Sequence, residues 1–207
     1  MVGPMSMQPP YQAQQAPPQK KGMSTCLIVA IVVGALSIPV IGVVAALGIY
    51  GVRRYLVAAK SAEAKNSIGA IARAAVSSYE HEDPALTAPG KAAPHRLCGS
   101  ATPVPHDVPK GVKYMPSSAP GADFQSGSAT TGWTCLKFAM GTPMYYQYSY
   151  VQGAGSGKSG ATANGFEASA RGDLDGNGVT SLFARGADVR NGTVVLSTEI
   201  YIENEFE

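Results

Sequence analysis

Hydrophobic and polar positions divide the N-terminal third of the chain into two halves of one predicted helix. Residues 26–50 are 25 consecutive positions without a charge. At about 1.5 Å rise per residue, a helix of that length exceeds the roughly 30 Å hydrocarbon core of a bilayer. Residues 51–80 carry Arg53, Arg54, Lys60, Glu63, Lys65 and Arg73, so they do not form a second span. Their apolar residues recur at helical spacing: Ile68, Ile71 and Ala72, Ala75 and Val76, then Tyr79. The pattern predicts a membrane helix over 23–50 and an amphipathic continuation over 51–80. His81-Glu82-Asp83-Pro84 ends it, because the residue before a proline is pushed out of the helical region.

The other readings of 26–50 fit less well. A cleaved secretory signal has an apolar region of roughly 7–15 residues and a small-residue cleavage site. This stretch is longer, and no convincing A-x-A site follows it. A buried core helix of this length would ordinarily carry some charge. Pro39, Gly34, Gly42 and Gly48 lie inside the stretch, and both residue types are more frequent in membrane helices than in soluble ones.

Beyond residue 80 the period changes. Residues 81–132 are rich in Pro, Ala, Gly and Ser and predict a long irregular connection. Strand patterns follow over 133–207. Leu136, Phe138 and Met140 alternate, residues 144–151 are aromatic, and Phe166, Ala168 and Ala170 alternate with Glu167, Ser169 and Arg171. Residues 180–185 and 193–202 complete the set, with Gly-rich connections between runs. Residues 199–207 alternate like an edge strand whose acids block unwanted pairing. This is an α+β chain: a long N-terminal helix whose amphipathic half covers a C-terminal antiparallel meander of four or five strands.

Composition sharpens the picture in three places. Residues 1–22 are Pro- and Gln-rich, have almost nothing to bury, and predict a disordered tail, either a docking segment or an inert leader. Cys98 and Cys135 are the two cysteines outside the apolar stretch. They lack metal-ligand spacing and read as a disulfide in an oxidising compartment, against two separate buried thiols. Counting Lys and Arg around the span would instead put the C-terminal side in the cytoplasm. The cysteines decide for a cytoplasmic N-terminus and an extracytoplasmic domain. A net charge of +2 over 207 residues gives no electrostatic case for nucleic acid.

Two motifs invite chemistry. Gly172-Asp173-Leu174-Asp175-Gly176-Asn177-Gly178 begins like a calcium loop, which would make Asp173, Asp175 and Asn177 the Ca2+ ligands. The twelfth position is Ala184 rather than a bidentate acid, and the competing reading is a hairpin turn built from Asp, Asn and Gly. Residues 152–159 imitate a phosphate loop, but Gln152 replaces its first Gly and a strand follows. The three histidines, His81, His95 and His106, are scattered, and no catalytic constellation stands out, so the expectation is a protein that is not an enzyme.

The run VIGVVAALGIYGVRRYLVAAKSAEAK, residues 40–65, resembles the N-terminal helix of type IV pilins and pseudopilins. Gly42, Ala45, Ala46, Ile49, Arg54, Ser61 or Ala62, Glu63, Ala64 and Lys65 align without a gap, and the likeness continues to residue 79. The family's cleavage junction and its acidic fifth mature residue have no counterpart in this register, where Val33 takes the acid's place. Gly22-Met23, after Lys20-Lys21, is a displaced processing candidate whose fifth residue is Leu27. The resemblance implies a spine helix on a variable sheet, held in a bacterial inner membrane with a periplasmic domain. It also implies partnership with other pilin-like subunits or with copies of itself. Val40, Ile41, Val44, Leu47 and Ile49 would then form the helix assembly surface, in a pilus or pseudopilus used for secretion, motility or adhesion. The alternative is a solitary anchored module that binds calcium, a glycan or a protein.

Overall fold

The computed structural model describes residues 3, 22, 24–81 and 95–207. The expected tail over 1–22 and the processing residue Met23 lie almost wholly outside these, as does the helix-ending Pro84. The elements are α1 (Thr25–Glu80), β1 (Ala101–Val104), a 3-10 turn (Asp123–Gln125), α2 (Gly132–Leu136), β2 (Gln147–Gln152), β3 (Gly165–Gly172), β4 (Ser181–Arg190), β5 (Thr193–Leu196) and β6 (Tyr201–Glu203). The chain forms two compact units, Met1–Tyr50 and Gly51–Glu207.

In the first unit, α1 stands alone. Every Val, Leu, Ile and Tyr from Leu27 to Tyr50 is exposed. Pro39 lies within it and removes one backbone donor. This helix is long and apolar enough to cross a membrane.

In the second unit, the continuation of α1 buries Ser61, Ala64, Ile68, Ile71, Ala72, Ala75 and Tyr79, a stripe at three- and four-residue spacing. Half of that stripe is small. Ser61 returns its hydroxyl to the carbonyls of Val57 and Ala58, at 3.3 and 3.1 Å. The sheet that α1 covers carries the bulk on its own side, in Tyr148, Tyr150, Phe166 and Phe183. Tyr148 and Tyr150 of β2 oppose Ala170 and Ala168 of β3, and Ala170 in turn opposes Phe183 of β4. Large beside small across neighbouring strands lets both share one buried layer. All of these join one buried cluster with Trp133, Leu136 and Met144.

The sheet is antiparallel, in the order β1-β2-β3-β4-β5, with β6 also paired to β4. Its six strands place the chain in the α+β class, with three departures from the expected element pattern. Residues 133–140 are not a strand. They begin with the short helix α2, in which Trp133 and Leu136, three apart, both point inward. Lys137 closes it in the left-handed region at φ 52°. The alternation of Leu136, Phe138 and Met140 is incidental to that turn.

Second, the connection over 81–132 is not wholly irregular, because β1 pairs with β2 as an edge strand. Third, the run 193–202 is two strands on the same side of β4. Asn191-Gly192, both at positive φ, form the hairpin, and β5 pairs with residues 187–190. The chain then leaves the sheet at Ser197 and returns as β6 against residues 182–184.

Candidate functional site

Among the described residues of Met1–Tyr50, the apolar half of α1 is an unpartnered surface. Val40, Ile41, Val44, Leu47 and Ile49 are each between 60 and 65% exposed. Nothing in the described residues of Met1–Tyr50 covers them. Free Cys26 sits near the start of this helix, also exposed.

Cys98 and Cys135 form a disulfide, with Cα atoms 5.8 Å apart. It joins the segment before β1 to α2, and hydrogen bonds attach it on two sides. Tyr150 donates its hydroxyl to the carbonyl of Cys98 at 3.1 Å, and Ser78 of α1 donates to the carbonyl of Cys135 at 3.1 Å. Trp133 donates its indole N–H to Thr102 of β1 at 2.8 Å. The disulfide therefore fastens the edge strand, α2 and the far end of α1 to one another.

Residues 173–178 form the turn between β3 and β4. Asp173 is buried, and its two carboxylate oxygens accept the backbone N–H groups of Gly176 at 2.7 Å and Gly178 at 3.1 Å. Asp175 accepts the backbone N–H and the side-chain amide of Asn177, at 3.1 and 2.9 Å. Asn177 accepts from the backbone N–H of Val179 at 2.6 Å. Gly176 and Gly178 take positive φ, which a side chain would strain. The oxygens of these three residues thus close the turn on itself. Among the described residues, no group of three or more His, Cys, Asp and Glu side chains is placed to hold a metal ion.

The Gly-rich loop after β2 is wrapped around a carboxylate. Glu167 of β3 is buried and accepts the hydroxyls of Ser156 and Ser159, each at 2.7 Å, and the backbone N–H of Ser156 at 3.0 Å. A loop whose hydroxyls and amide already serve an internal anion is a hairpin connection rather than a phosphate cradle. The histidines do not converge: His95 donates through Nδ1 to the carbonyl of Tyr79 at 2.9 Å, while His106 lies beside Asp107 on an exposed loop.

One cluster was not foreseen. Tyr145 is half-buried, and two ammonium groups approach its ring, Lys60 at 4.1 Å and Lys113 at 5.0 Å from the centroid. Glu63 lies one helical turn beyond Lys60. Burial pushes its carboxyl above the ordinary glutamate range, against the pull of the Tyr145 backbone N–H, Lys113 and Lys60. Nearby, Lys65 pairs with Glu205 at 2.5 Å, and Arg54 lies over the ring of Phe206 at 5.9 Å. Lys113 and Glu205 are far from α1 in sequence, and no local pattern announces either pairing. The hydroxyls of Tyr146 and Tyr148 are buried without a hydrogen-bond partner, and burial raises the pKa of both.

Compared with known proteins, the chain matches no family model, no curated protein and no solved structure.

Proposed function

We propose that this protein is a non-enzymatic, membrane-anchored structural subunit of pilin-like type. It would assemble with copies of itself or with related subunits into a type IV pilus or pseudopilus serving secretion, motility or adhesion. The observation that carries the reading is the division of α1. Its residues 61–79 are buried beneath a sheet of their own chain, whereas every large apolar side chain from Leu27 to Leu56 is left exposed. So long an apolar surface requires lipid or other helices around it. The same division marks the family that residues 40–79 resemble. The disulfide supports an oxidising compartment, hence a periplasmic or extracellular domain and a cytoplasmic N-terminus across an inner membrane.

A solitary anchored binding module is the second reading, with calcium at Asp173, Asp175 and Asn177, or a glycan or protein ligand, as its cargo. Calcium has the weaker support, since both oxygens of Asp173 already bind backbone amides. The intact mass and N-terminal sequence of the protein from native membranes distinguish the two. Loss of residues 1–22 marks processing at Gly22-Met23 and supports the assembling subunit. A chain that begins at Met1 supports the solitary anchor.

A further inference from the structure

We infer that Asn191 is a site of spontaneous modification, whose side chain cyclises onto Gly192, loses ammonia and opens to aspartate and isoaspartate, the isoaspartyl form releasing β5 from the edge of the sheet. The site lies wholly within Gly51–Glu207 and is independent of the pilin-like reading.

The chain has Asn-Gly at 164–165, 177–178 and 191–192. Asparagine is a thermolabile residue, and a following glycine has no side chain to hinder approach to its backbone nitrogen. Solvent base takes the proton of that nitrogen, which then attacks Cγ of the asparagine and forms a C–N bond. The Cγ–Nδ2 bond breaks, and Nδ2 leaves with a solvent proton as ammonia. Water then opens the cyclic imide. Breaking the new bond gives aspartate; breaking the original peptide bond leaves the main chain running through Cγ, as isoaspartate. The sequence consumes water alone.

The reaction needs a glycine nitrogen that is not engaged and an asparagine side chain able to turn onto it. At 177–178 both are held. Asn177 donates to Asp175 and Glu207 at 2.9 and 3.1 Å and accepts from Val179 at 2.6 Å. The Gly178 N–H is given to Asp173 at 3.1 Å. At 164–165 the nitrogen is held, since the Gly165 N–H donates to the Thr162 carbonyl at 3.0 Å. Gly165 is also buried at the start of β3, so close to the Ala187 carbonyl that a Cβ would not fit.

Asn191-Gly192 differs on each count. Arg190 pairs with Thr193, which makes these two residues the whole of the β4–β5 loop. Their φ values of 52° and 77° are those of a type I′ turn. Among the described residues, neither the Gly192 N–H nor the Asn191 side chain has a hydrogen-bond partner. Both residues are exposed, and the space beside Gly192 is open.

The two products have different consequences. Asp-Gly suits a type I′ turn as well as Asn-Gly does, so the aspartyl form keeps the hairpin. Isoaspartate adds a methylene to the main chain within a two-residue loop, and loop length fixes the register of a hairpin. β5 has four residues and pairs with residues 187–190 of β4 alone. Without its register it detaches, and those residues of β4 become an open edge of the kind another strand can pair with.

The test holds the purified full chain, folded in detergent, in mildly alkaline buffer beside a sample unfolded in urea. Peptide mass spectrometry follows the replacement of NH by O at all three asparagines of one sample. In the folded chain Asn191 should convert severalfold faster than Asn164 and Asn177, and in urea the three rates should converge. A folded chain in which Asn191 is no faster than the other two overturns the inference. So does a difference that persists unchanged in urea, since the fold would then not be its cause. Hydrogen exchange on the separated products reads the second half. The isoaspartyl form should lose amide protection over Thr193–Leu196 and keep it over β2 and β3, whereas Asn191→Asp should keep it throughout. Protection of β5 retained in the isoaspartyl form, or lost equally in Asn191→Asp, overturns release by the lengthened main chain.

Discussion

The Tyr150 hydroxyl donates to the carbonyl oxygen of Cys98 at 3.1 Å across 52 residues of chain. It is the satisfied member of three buried tyrosines at alternate positions 146, 148 and 150, since the hydroxyls of Tyr146 and Tyr148 have no partner. Removing a bonded hydroxyl costs the bond and strands an acceptor, whereas removing an unbonded one relieves a desolvated group. Tyr150→Phe should therefore lower unfolding stability by about 1 kcal/mol. Tyr146→Phe should leave it unchanged or raise it. Chemical denaturation of the two Tyr→Phe variants reads the contrast, and equal losses would contradict it.

Cys98 and Cys135 enclose a sequence separation of 37 residues. On the chain-entropy model, closing such a loop stabilises the native state by about 4 kcal/mol. A Cys98→Ser/Cys135→Ser variant should lose that much, and reduction of the wild type should lower its Tm by a similar margin. The edge strand β1 and α2 should be the first segments to lose amide protection, because the disulfide joins them.

Two carboxylates give opposite pH signatures. Burial raises the pKa of Glu63, so the folded state holds its proton more tightly than the unfolded chain. Its contribution to stability is fully present below the ordinary value of 4.5 and is lost as pH rises through the raised value. Glu63→Gln should therefore raise Tm at pH 7, with the advantage vanishing below about pH 4.5. Asp188 is the reverse. The Thr162 N–H, donating to it at 2.8 Å, and then Arg190 hold its pKa below the ordinary range. Its contribution is present above the unfolded value and lost as pH falls through the lowered one. Asp188→Asn should be destabilised at pH 7 and converge on the wild type in acid.

The parts of the fold legible in the sequence are those whose period persists over many residues. The helix expected to end at residue 80 ends there, β3 falls where the alanine alternation placed it, and β2 takes the second half of the aromatic run, beginning at Gln147 rather than at 144. The disulfide was legible because two cysteines remain once the apolar stretch claims Cys26. The rest depends on tertiary context. β1 has four residues and becomes a strand only by pairing with β2. α2 has five, too few for periodicity to tell a helical turn from a strand, and Trp133 decides it by reaching Thr102. The Lys60–Tyr145–Lys113 cluster joins α1, β2's approach and a loop, and no spacing rule connects them.

The β3–β4 turn offers a test in which calcium and turn chemistry part. Asp173→Ala removes the acceptor of two backbone amides in a buried position and should cost about 1–3 kcal/mol in the absence of calcium. Calcium or a chelator should leave the Tm of the wild type unchanged. A rise in wild-type Tm with added calcium, abolished by Asp173→Ala, would return the loop to the cation-binding reading.

The central claim is that the exposed apolar half of α1 is an assembly surface. It is tested most directly by placing a photo-crosslinking phenylalanine analogue at both Val40 and Leu47 in the full chain and irradiating native membranes. The account predicts a ladder of crosslinked subunits, identified by mass spectrometry as copies of this chain or of chains with a similar helix. A monomer crosslinked to lipid alone would contradict it and leave a solitary anchor.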